Sequence, residues 1–554
     1  MEQEPVSVIL EKVRDMIFAV PQWQINDHDL PNDDFVHLIQ LTRGTKLAVT
    51  LLMVDEAPGL RYQLNHNHLL GTAWASLFDV IQAIPVRVGV PLSPADVKIP
   101  VGSELIYGNG QALIVRGDQQ LGTITYHPEG FVWQVIWTLA NAERRVEQYD
   151  DRGFLSTRTL YAPDNRIKQK EWLDITGQAV MRQTDQIRIT AGARSRFSQS
   201  AYATINDVIG EFLHKQLVAK TGPQQLIMAA DRAFSPLVAD IPPEVDVHCF
   251  VHKLTEANIA PFANTTQSWI TDTDTQAEAL RKRLRMLPEV KSTVVRVIPP
   301  YNTTLSLGRS NELAAVISYW HVNQLPKDDR QIVFNQFLKQ LQVDPDKQLI
   351  VNADNQKQID NFQQTALNFA AESQAVSLDS AVFQRIQALL RGDEPPLATP
   401  SATQAEITDA DEQQAVAPVT EKRQAPGEKA LIEQIRLFLT RITYQAQADY
   451  EQIVQNLSLA RILVDLGSAP DLFMQLAAIS AGIPQINRVP TGYVTRETGR
   501  IISDWRGLDS ALTYYLDSLA HWNQALVANV QLIDRYSENH SLALWQEVLT
   551  DGGH

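Results

Sequence analysis

The sequence lacks paired cysteines, long apolar runs and a surplus of basic residues. Cys249 is the only cysteine among 554 residues, so no intrachain disulfide can form, which suits a reducing cytoplasm. The purest apolar stretch near the start, Leu47 to Val54, is eight residues long. A membrane-spanning helix needs roughly 20 residues, so we expect no transmembrane segment.

The charge balance excludes a further class of partner. The chain has 48 Lys and Arg residues against 64 Asp and Glu residues, a formal net charge of -16. So acidic a surface repels phosphate backbones, and nucleic acid is not an expected partner. The start, Met1 to Pro5, is acidic and lacks the positive residues and apolar run of a signal peptide. We therefore expect a soluble chain that stays in the cytoplasm.

The first half of the chain has the pattern of an α/β domain with an insertion. Short apolar runs alternate with amphipathic stretches over 1–95, which predicts the βα units of a Rossmann-like domain. Over 96–194, strand-like runs alternate with turns such as Asp150-Asp151-Arg152-Gly153, which predicts an inserted antiparallel β-meander. The α/β pattern returns over 195–295 and completes the first domain.

A second Rossmann-like domain is predicted for residues 296–535. Its first βαβ unit is expected to consist of a strand at Leu313–Ser318, a helix at Gln331–Leu341 and a strand at Lys347–Asn352. Apolar residues from Leu508 to Ile533 recur every three or four positions. This spacing predicts one long amphipathic helix that ties the two domains together. Residues 536–554 are then a C-terminal tail.

Residues 393–428 differ from the rest of the second domain. Five prolines stand among Ala, Thr, Gln and acidic residues, and no aromatic residue is present. Such a segment cannot bury enough apolar surface to offset the entropy lost on ordering, so we expect a disordered loop. Two interpretations remain open: a dispensable linker, and a segment that docks a partner.

Metal and cofactor motifs are weak. His66 and His68 would share one face of a strand, but no nearby Cys or Glu completes a metal site. Gly108-Asn109-Gly110 resembles the start of a dinucleotide loop, yet it lies within a hairpin pattern. We therefore expect no metal ion and no cofactor.

The stretch from Ala460 to Tyr493 is the most informative. A strand (Ala460–Val464) leads through a polar loop to a helix (Leu472–Ala481), the turn Gly482-Ile483-Pro484 and the loop Thr491-Gly492-Tyr493. This order resembles the donor-binding half of the GT-B glycosyltransferases, which are retaining nucleotide-sugar enzymes. The resemblance implies an α/β, GT-B-like fold: two Rossmann-like domains facing a cleft, with the antiparallel β-meander inserted in the first.

Two catalytic features of that family are missing. In those enzymes the loop and helix carry two glutamates, one beside the reacting sugar and one on the donor ribose. The alignment puts Ala469 and Ala477 at these positions. Each lost hydrogen bond to a charged acceptor is worth roughly 1.5–3 kcal/mol. The family also has an Arg and a Lys that neutralise the leaving diphosphate, whereas 318–327 contain no Arg and only Lys327 and the partly charged His321. Glycosyl transfer is therefore not expected.

The residues that remain around the expected donor cleft are candidates for binding without turnover. They are His321, Lys327, Ser468, Asp471, Gly482, Thr491, Gly492 and Tyr493. Rings suited to stacking on a sugar are Trp133, Trp137, Trp172 and Tyr319, although the core is the favoured place for each of them singly.

Further segments narrow the resemblance. The segments that resemble the first member of the Asp family of accessory Sec proteins are Phe18–Trp23, Ala57–Tyr62, Ser76–Gln82, Ala481–Ile486, Tyr514–Asp517 and Trp522-Asn523. The turn at Asp150 to Gly153 resembles part of the β-insertion shared with the glycosyltransferases of the same gene clusters. The resemblance covers nearly the whole chain except 393–428 and about the last dozen residues.

The resemblance implies a non-catalytic, pseudo-glycosyltransferase component of a cytoplasmic complex. Its expected partners are two other Asp-type accessory Sec proteins, the accessory SecA motor and the glycosylated serine-rich-repeat adhesin that the system exports. Its expected location is the cytoplasm, or the periphery of the membrane through the export complex. Two alternatives stay open: an active retaining glycosyltransferase that modifies the adhesin, and a chaperone subunit for such an enzyme.

Overall fold

The computed structural model describes residues 16–23, 30, 33–219, 222–391 and 426–550. The chain forms two compact units, Met1–Pro300 with Glu538–His554 and Tyr301–Ser537. The predicted borders are 295/296 and 535/536. The predicted loop 393–428 lies outside the described residues up to position 425, and its last three residues begin a helix.

The first unit begins with three parallel strands and the helices that follow them. They are β1 (Met16–Val20), α1 (Asp34–Thr42), β2 (Thr50–Met53), α2 (Leu60–His66), β3 (Ala73–Ser76) and α3 (Leu77–Gln82). Asp33 starts α1 because its Oδ1 accepts hydrogen bonds from the amides of Phe35 and Val36. His66 ends α2, so the pair His66 and His68 does not lie on a strand, contrary to the prediction.

A ten-stranded antiparallel meander follows α3, and consecutive strands pair along it. Its strands are β4 (Glu104–Gly108), β5 (Gln111–Arg116), β6 (Gln119–Tyr126), β7 (Val132–Thr138), β8 (Arg144–Tyr149), β9 (Leu155–Tyr161), β10 (Ile167–Leu173), β11 (Ala179–Gln183), β12 (Ile187–Ile189) and β13 (Ala201–Tyr202). The turn after β8 packs tightly against the segment that follows α3. A Cβ at Gly153, where φ is +90°, would lie 2.3 Å from the Val90 carbonyl oxygen.

The chain then returns to the parallel sheet. It adds α4 (Ile205–Val218), β14 (Gln224–Ala229), β15 (Val245–Phe250), α5 (Glu256–Ile259), β16 (Thr266–Thr271), α6 (Asp274–Leu284) and β17 (Val295–Val297). The sheet order is β17-β16-β15-β14-β1-β2-β3, so the order reverses between β1 and β14. Hydrophobic clusters cover both faces: one contains Phe212 and Trp269, the other Phe35 and Trp545.

The second unit is a six-stranded parallel sheet with helices. Its elements are β18 (Val316–His321), α7 (Lys327–Val343), β19 (Lys347–Ala353), α8 (Gln356–Ser373), α9 (Ala381–Arg391), α10 (Pro426–Leu439), β20 (Ile442–Ala446), α11 (Tyr450–Leu459), β21 (Ile462–Asp465), α12 (Leu472–Ala481), β22 (Gln485–Asn487), β23 (Gly499–Ile501), α13 (Arg506–Leu516) and α14 (Leu519–Arg535). The sheet order is β20-β19-β18-β21-β22-β23. The reversal between β18 and β21 is a topological switch point, where ligands of such sheets bind.

The C-terminal part corrects two predictions. The single long helix from Leu508 is wrong, because α13 and α14 are separate helices. Ser518 is extended, and its hydroxyl accepts a hydrogen bond from the His521 amide, which starts the second helix. The expected tail contains a helix, α15 (Glu538–Thr550), whose Trp545 and Val548 belong to a hydrophobic cluster of the first unit.

Candidate functional site

Four polar side chains form a row at the switch point of the second unit. In the parallel register, His321 on β18 lies opposite Asn352 on β19 and Asp465 on β21, and Asp465 lies opposite Asn487 on β22. Residues in register on parallel strands share a face of the sheet, so the four lie side by side at the carboxyl edge. We call Asn352, His321, Asp465 and Asn487 the switch-point row.

The switch-point row meets the N-terminus of α12 through two carboxylates. Asp465 is 1% exposed, and its oxygens accept hydrogen bonds from the amides of Gly467 (3.1 Å) and Asp471 (2.9 Å). Burial raises the pKa of Asp465, and the charge of His321 opposes this shift. Asp471 caps α12 by accepting from the Met474 amide at 3.0 Å, and its Oδ2 lies 3.8 Å from His321 Nε2.

This arrangement is unsuited to a diphosphate. A helix N-terminus at the end of a parallel strand normally offers free amides to an anion. Here the Asp471 carboxylate occupies the Met474 amide, and Asp465 adds a second acidic group beside it. An incoming phosphate would meet these two carboxyl groups with a half-buried imidazole as the nearby base.

The loop before α12 is also closely packed. Asn323 Nδ2 donates to the Ala469 carbonyl oxygen at 2.5 Å, which joins this loop to the one after β18. A Cβ at Gly467 would lie 2.8 Å from Asn323 Nδ2. Ala469 and its neighbour Ser468 are exposed, whereas Ala477 packs partly buried against a hydrophobic cluster on α12. Neither alanine offers a side-chain acceptor to a donor sugar or ribose.

The other predicted site residues do not belong to the switch-point row. Lys327 is exposed at the start of α7 and lines a pocket of about 200 Å³ with residues of α8. Gly482 ends α12 with φ +73°, roughly 17 Å from Asp471 at about 1.5 Å per helical residue. Thr491, next to Gly492, donates to Gln475 Oε1 at 2.6 Å, and the buried Tyr493 ring packs on Tyr536 at 5.1 Å.

The sequence analysis missed Asn352 and Asn487 of the switch-point row. Asn487 is fully buried, and within the described part of the chain both of its side-chain polar atoms lack a hydrogen-bond partner. The signal was present only in part: Asn352 follows the apolar run Leu349-Ile350-Val351, but Asn487 follows only Ile486 in a strand of three residues. It becomes specific only when the strand order brings these ends together.

The four rings proposed for sugar stacking are buried. Trp172 and Tyr319 are 1% and 0% exposed, and Trp133 and Trp137 are each 9% exposed. Trp172 Nε1 donates to Glu56 at 2.9 Å, and Trp137 Nε1 donates to Glu147 at 2.8 Å. These rings therefore serve the core, which was the favoured interpretation for each of them singly.

A second cluster of polar residues lies at the carboxyl edge of the first unit's sheet. His252 follows β15, Asp272 follows β16 and Asp34 begins α1. Nε2 of His252 is 3.2 Å from Asp34 Oδ2, and Nδ1 is 3.8 Å from Asp272 Oδ2. Ligand-type atoms of the three residues lie within 4.8 Å of one another. No sequence motif joins these positions, so the cluster was not predicted.

The protonation of His252 decides how this cluster behaves. Burial alone would lower the His252 pKa, but the hydrogen bond to Asp272 and the charge of Asp34 outweigh it and raise the pKa to about 9. A metal ion needs a neutral imidazole nitrogen, so protons compete strongly for this ring near neutral pH. The arrangement is best described as an imidazolium between two acidic side chains, of which Asp34 has a pKa raised to about 7 by burial and by the charge of Asp272.

We expect this cluster to make the stability of the first unit depend on pH. The folded His252 pKa lies above its unfolded value near 6.5, so the stabilisation from His252 is present below pH 6.5 and is lost as pH rises through about 9; burial also raises the pKa of Asp34 to about 7, which removes stability in the same direction. The ring is 44% exposed, so solvent screening limits the effect to roughly 1 kcal/mol. Urea unfolding of His252→Gln between pH 6.5 and 9 should show a flatter profile than the wild type; identical slopes would contradict the ion pair.

Among the described residues, no helix is both long enough and apolar enough to cross a membrane. The sequence matches the family model for the first of the Asp-type accessory Sec system proteins over residues 14–386 and 402–552. Two curated relatives with the same description come from Streptococcus gordonii and Staphylococcus aureus. They are 22% and 23% identical to this chain over 543 residues, which cover 96% of this chain and 95% of each relative.

Solved structures show the same fold. The accessory secretory protein 1, 2 and 3 structure from Streptococcus pneumoniae matches with a TM-score of 0.66 and 20% identity, covering 97% of this chain and 100% of that one. The pneumococcal O-GlcNAc transferase GtfA, solved with UDP and GlcNAc, matches with a TM-score of 0.64 and 12% identity, covering 98% and 99%. The predicted GT-B-like fold is therefore confirmed, and the family match establishes that this chain belongs to the accessory Sec system protein family to which both curated relatives also belong.

Proposed function

We propose that this protein is a non-catalytic, glycosyltransferase-like component of an accessory Sec export complex, needed for secretion of glycosylated serine-rich-repeat adhesins. Family membership supports the export role. The proposed place of action is the cytoplasm, or the periphery of the membrane through the complex.

The observation that carries the non-catalytic part is the α12 N-terminus. Asp471 occupies an amide there, Asp465 stands beside it, and the exposed Ala469 and half-buried Ala477 lack acceptor side chains. A retaining transferase must stabilise the negative charge that develops on the leaving diphosphate. The Asp471 carboxylate works against that charge and occupies an amide that could stabilise it, so the proposed role is binding and assembly.

The proposed partners follow from the relatives. One solved relative is part of a structure of accessory secretory proteins 1, 2 and 3 from Streptococcus pneumoniae. By analogy, this chain would assemble with two other Asp-type accessory Sec proteins. The accessory SecA motor and the adhesin itself would be its further partners.

Deletion of the gene for this chain tests the proposal. We expect the adhesin to accumulate inside the cell while still carrying its sugars, because the transferases are separate proteins. The measurement is immunoblotting of cell-wall and cytoplasmic fractions, with lectin staining for glycan and a plasmid copy of the gene as control. Adhesin that reaches the surface without sugar would show instead that this chain transfers sugar. Glycosylated adhesin at wild-type surface levels would rule out an export role.

A biochemical assay addresses the missing catalysis directly. The purified chain, incubated with UDP-GlcNAc and unglycosylated adhesin repeat, should release no UDP above the rate of a buffer blank. The double variant Asp465→Asn with Asp471→Asn is the matched comparison, since it removes both opposing charges without restoring the glutamates. If the wild type releases UDP and the double variant releases it at a different rate, the chain has a working donor site at α12.

A further inference from the structure

A cavity of about 690 Å³ lies in the first unit, where the meander meets the parallel sheet. Its walls come from α2 and the loop after it, from the start of β3, from the segment after α3 and from two meander turns. Its volume falls within the range of small-molecule sites in proteins, about 300–1,000 Å³. The cavity belongs to the first unit, whereas the switch-point row belongs to the second.

Two residues of the cavity wall have a buried polar atom without a hydrogen-bond partner. Within the described part of the chain, Arg87 Nε and Thr72 Oγ1 are buried without a hydrogen-bond partner, and both residues line the cavity. The Arg87 guanidinium is held in place, because its Nη1 donates to the Trp74 carbonyl oxygen at 2.8 Å and it lies 4.9 Å from the Trp74 ring centroid. Buried polar groups are nearly always paired, so two unpaired polar atoms in residues of one cavity wall indicate that a ligand supplies the missing hydrogen-bond partner.

The cavity has charged groups of both signs, although burial and the neighbouring Asp150 raise the pKa of Asp151 to about 7. Arg61 and Arg87 supply two positive charges, and Glu129 and Asp151 supply two acidic groups. Arg61 is oriented by a 2.9 Å hydrogen bond to the Gly89 carbonyl oxygen, and Asp151 accepts from the Tyr62 amide at 3.0 Å. A strongly charged ligand would meet a like charge on one wall. An uncharged ligand whose groups both donate and accept hydrogen bonds would not.

Aromatic rings supply the remaining wall. Tyr62, Trp74 and Phe131 line the cavity, and all three are half-buried. Trp133, one of the rings proposed earlier for stacking, lies behind them in the core, in edge contact with Phe131 at 6.4 Å. Aromatic side chains combine a broad apolar surface with defined geometry, which suits the C–H face of a sugar ring.

We propose that this cavity binds a pyranose sugar, with Thr72 and Arg87 hydrogen-bonded to its hydroxyl groups and the aromatic wall against its apolar face. A sugar is neutral, carries hydroxyls that donate and accept, and has an apolar face, so it matches each of the three features. That the sugar belongs to the adhesin glycan rests on the proposed function. The assignment of a sugar to the cavity follows from the residues of the cavity and does not depend on the proposed function.

Free sugars and the purified full-length chain provide the test. Methyl glucoside and methyl N-acetylglucosaminide are titrated by saturation-transfer NMR and calorimetry, with UMP as the anionic comparison. We expect sugar binding that Thr72→Val and Arg87→Lys each weaken about fivefold to tenfold, since each removes a hydrogen bond without removing bulk. Thr123→Val is the matched control: Thr123 is half-buried on β6 and pairs with Gln120, outside the cavity.

Three outcomes would overturn the assignment. They are absence of binding to either sugar, sugar affinity that both cavity variants leave unchanged, and tighter binding of UMP in competition with the sugars. Circular dichroism and the melting temperature of each variant establish that it is folded. Failure of sugar binding is distinguishable from failure of the proposed function, because the gene-deletion assay measures export without reference to this cavity.

Discussion

Arg152→Met is expected to lower the free energy of unfolding of the first unit by about 3–5 kcal/mol, because it leaves two buried acids without a counter-charge. The Arg152 side chain is 6% exposed and forms hydrogen bonds of 2.7–2.9 Å to the carboxylates of Asp79 and Asp150. A further bond runs to the Val86 carbonyl oxygen at 2.9 Å. Arg152 therefore joins the meander turn to α3 and to the segment after it.

The appropriate measurement resolves the two units. Hydrogen exchange followed by mass spectrometry should show faster exchange of peptides from β7 to β9, while peptides from β18 and β19 keep their protection. Arg152→Lys is the control: it keeps the charge but loses the fork of parallel hydrogen bonds, so an intermediate effect is expected. Equal protection of β7 to β9 in the wild type and the Met variant would contradict the role of Arg152.

The general architecture could be predicted because it follows from local patterns. Alternation of apolar runs and amphipathic stretches identifies βα units, and turn residues at short intervals identify the meander. The break between α13 and α14 escaped prediction because the apolar spacing continues through it. Only the side chain of Ser518, which accepts from the His521 amide, starts a new helix there.

The candidate site could be predicted in part, for a different reason. The expectation that Ala469 and Ala477 take the positions of the family's two glutamates could be formed from the sequence, because it follows from one turn motif. Asp471 was predicted as a binding residue, but in the structure its carboxylate accepts a hydrogen bond from the Met474 amide at the N-terminus of α12. The sequence alone does not show this contact. Likewise, the cavity beside Thr72 and Arg87 requires turns of the meander that lie far away in the sequence.

The two units differ in the chemistry of their candidate sites. In the second unit, the switch point has the topology of a nucleotide site, but two acidic side chains and a closely packed loop lie at the N-terminus of α12. In the first unit, the insertion creates a cavity whose wall includes two residues with an unpaired buried polar atom. Function depends on the site and not on the fold, so one scaffold can carry recognition in one unit without turnover in the other.

Trp320→Ala is expected to destabilise the second unit by about 3–5 kcal/mol, because it empties the centre of that unit's core. Trp320 is fully buried on β18, with its ring centroid 6.0 Å from Phe334 and 5.3 Å from Phe362. Trp320→Phe keeps most of the packing and should have a much smaller effect. Urea unfolding monitored through exchange of β18 and β19 peptides measures both variants.

The same variant separates stability from recognition inside the cell. A loss of about 3–5 kcal/mol is a large share of the stability of a typical domain, so degradation should reduce the amount of chain present. Export by cells carrying Trp320→Ala should then fall in proportion to protein abundance, and raising expression should restore it. Thr72→Val should instead leave abundance unchanged, so any export defect in that variant would report on the cavity. Normal export with almost no Trp320→Ala protein present would show that the chain is required only in trace amounts. A Trp320→Ala chain as stable as the wild type would contradict the packing described for this core.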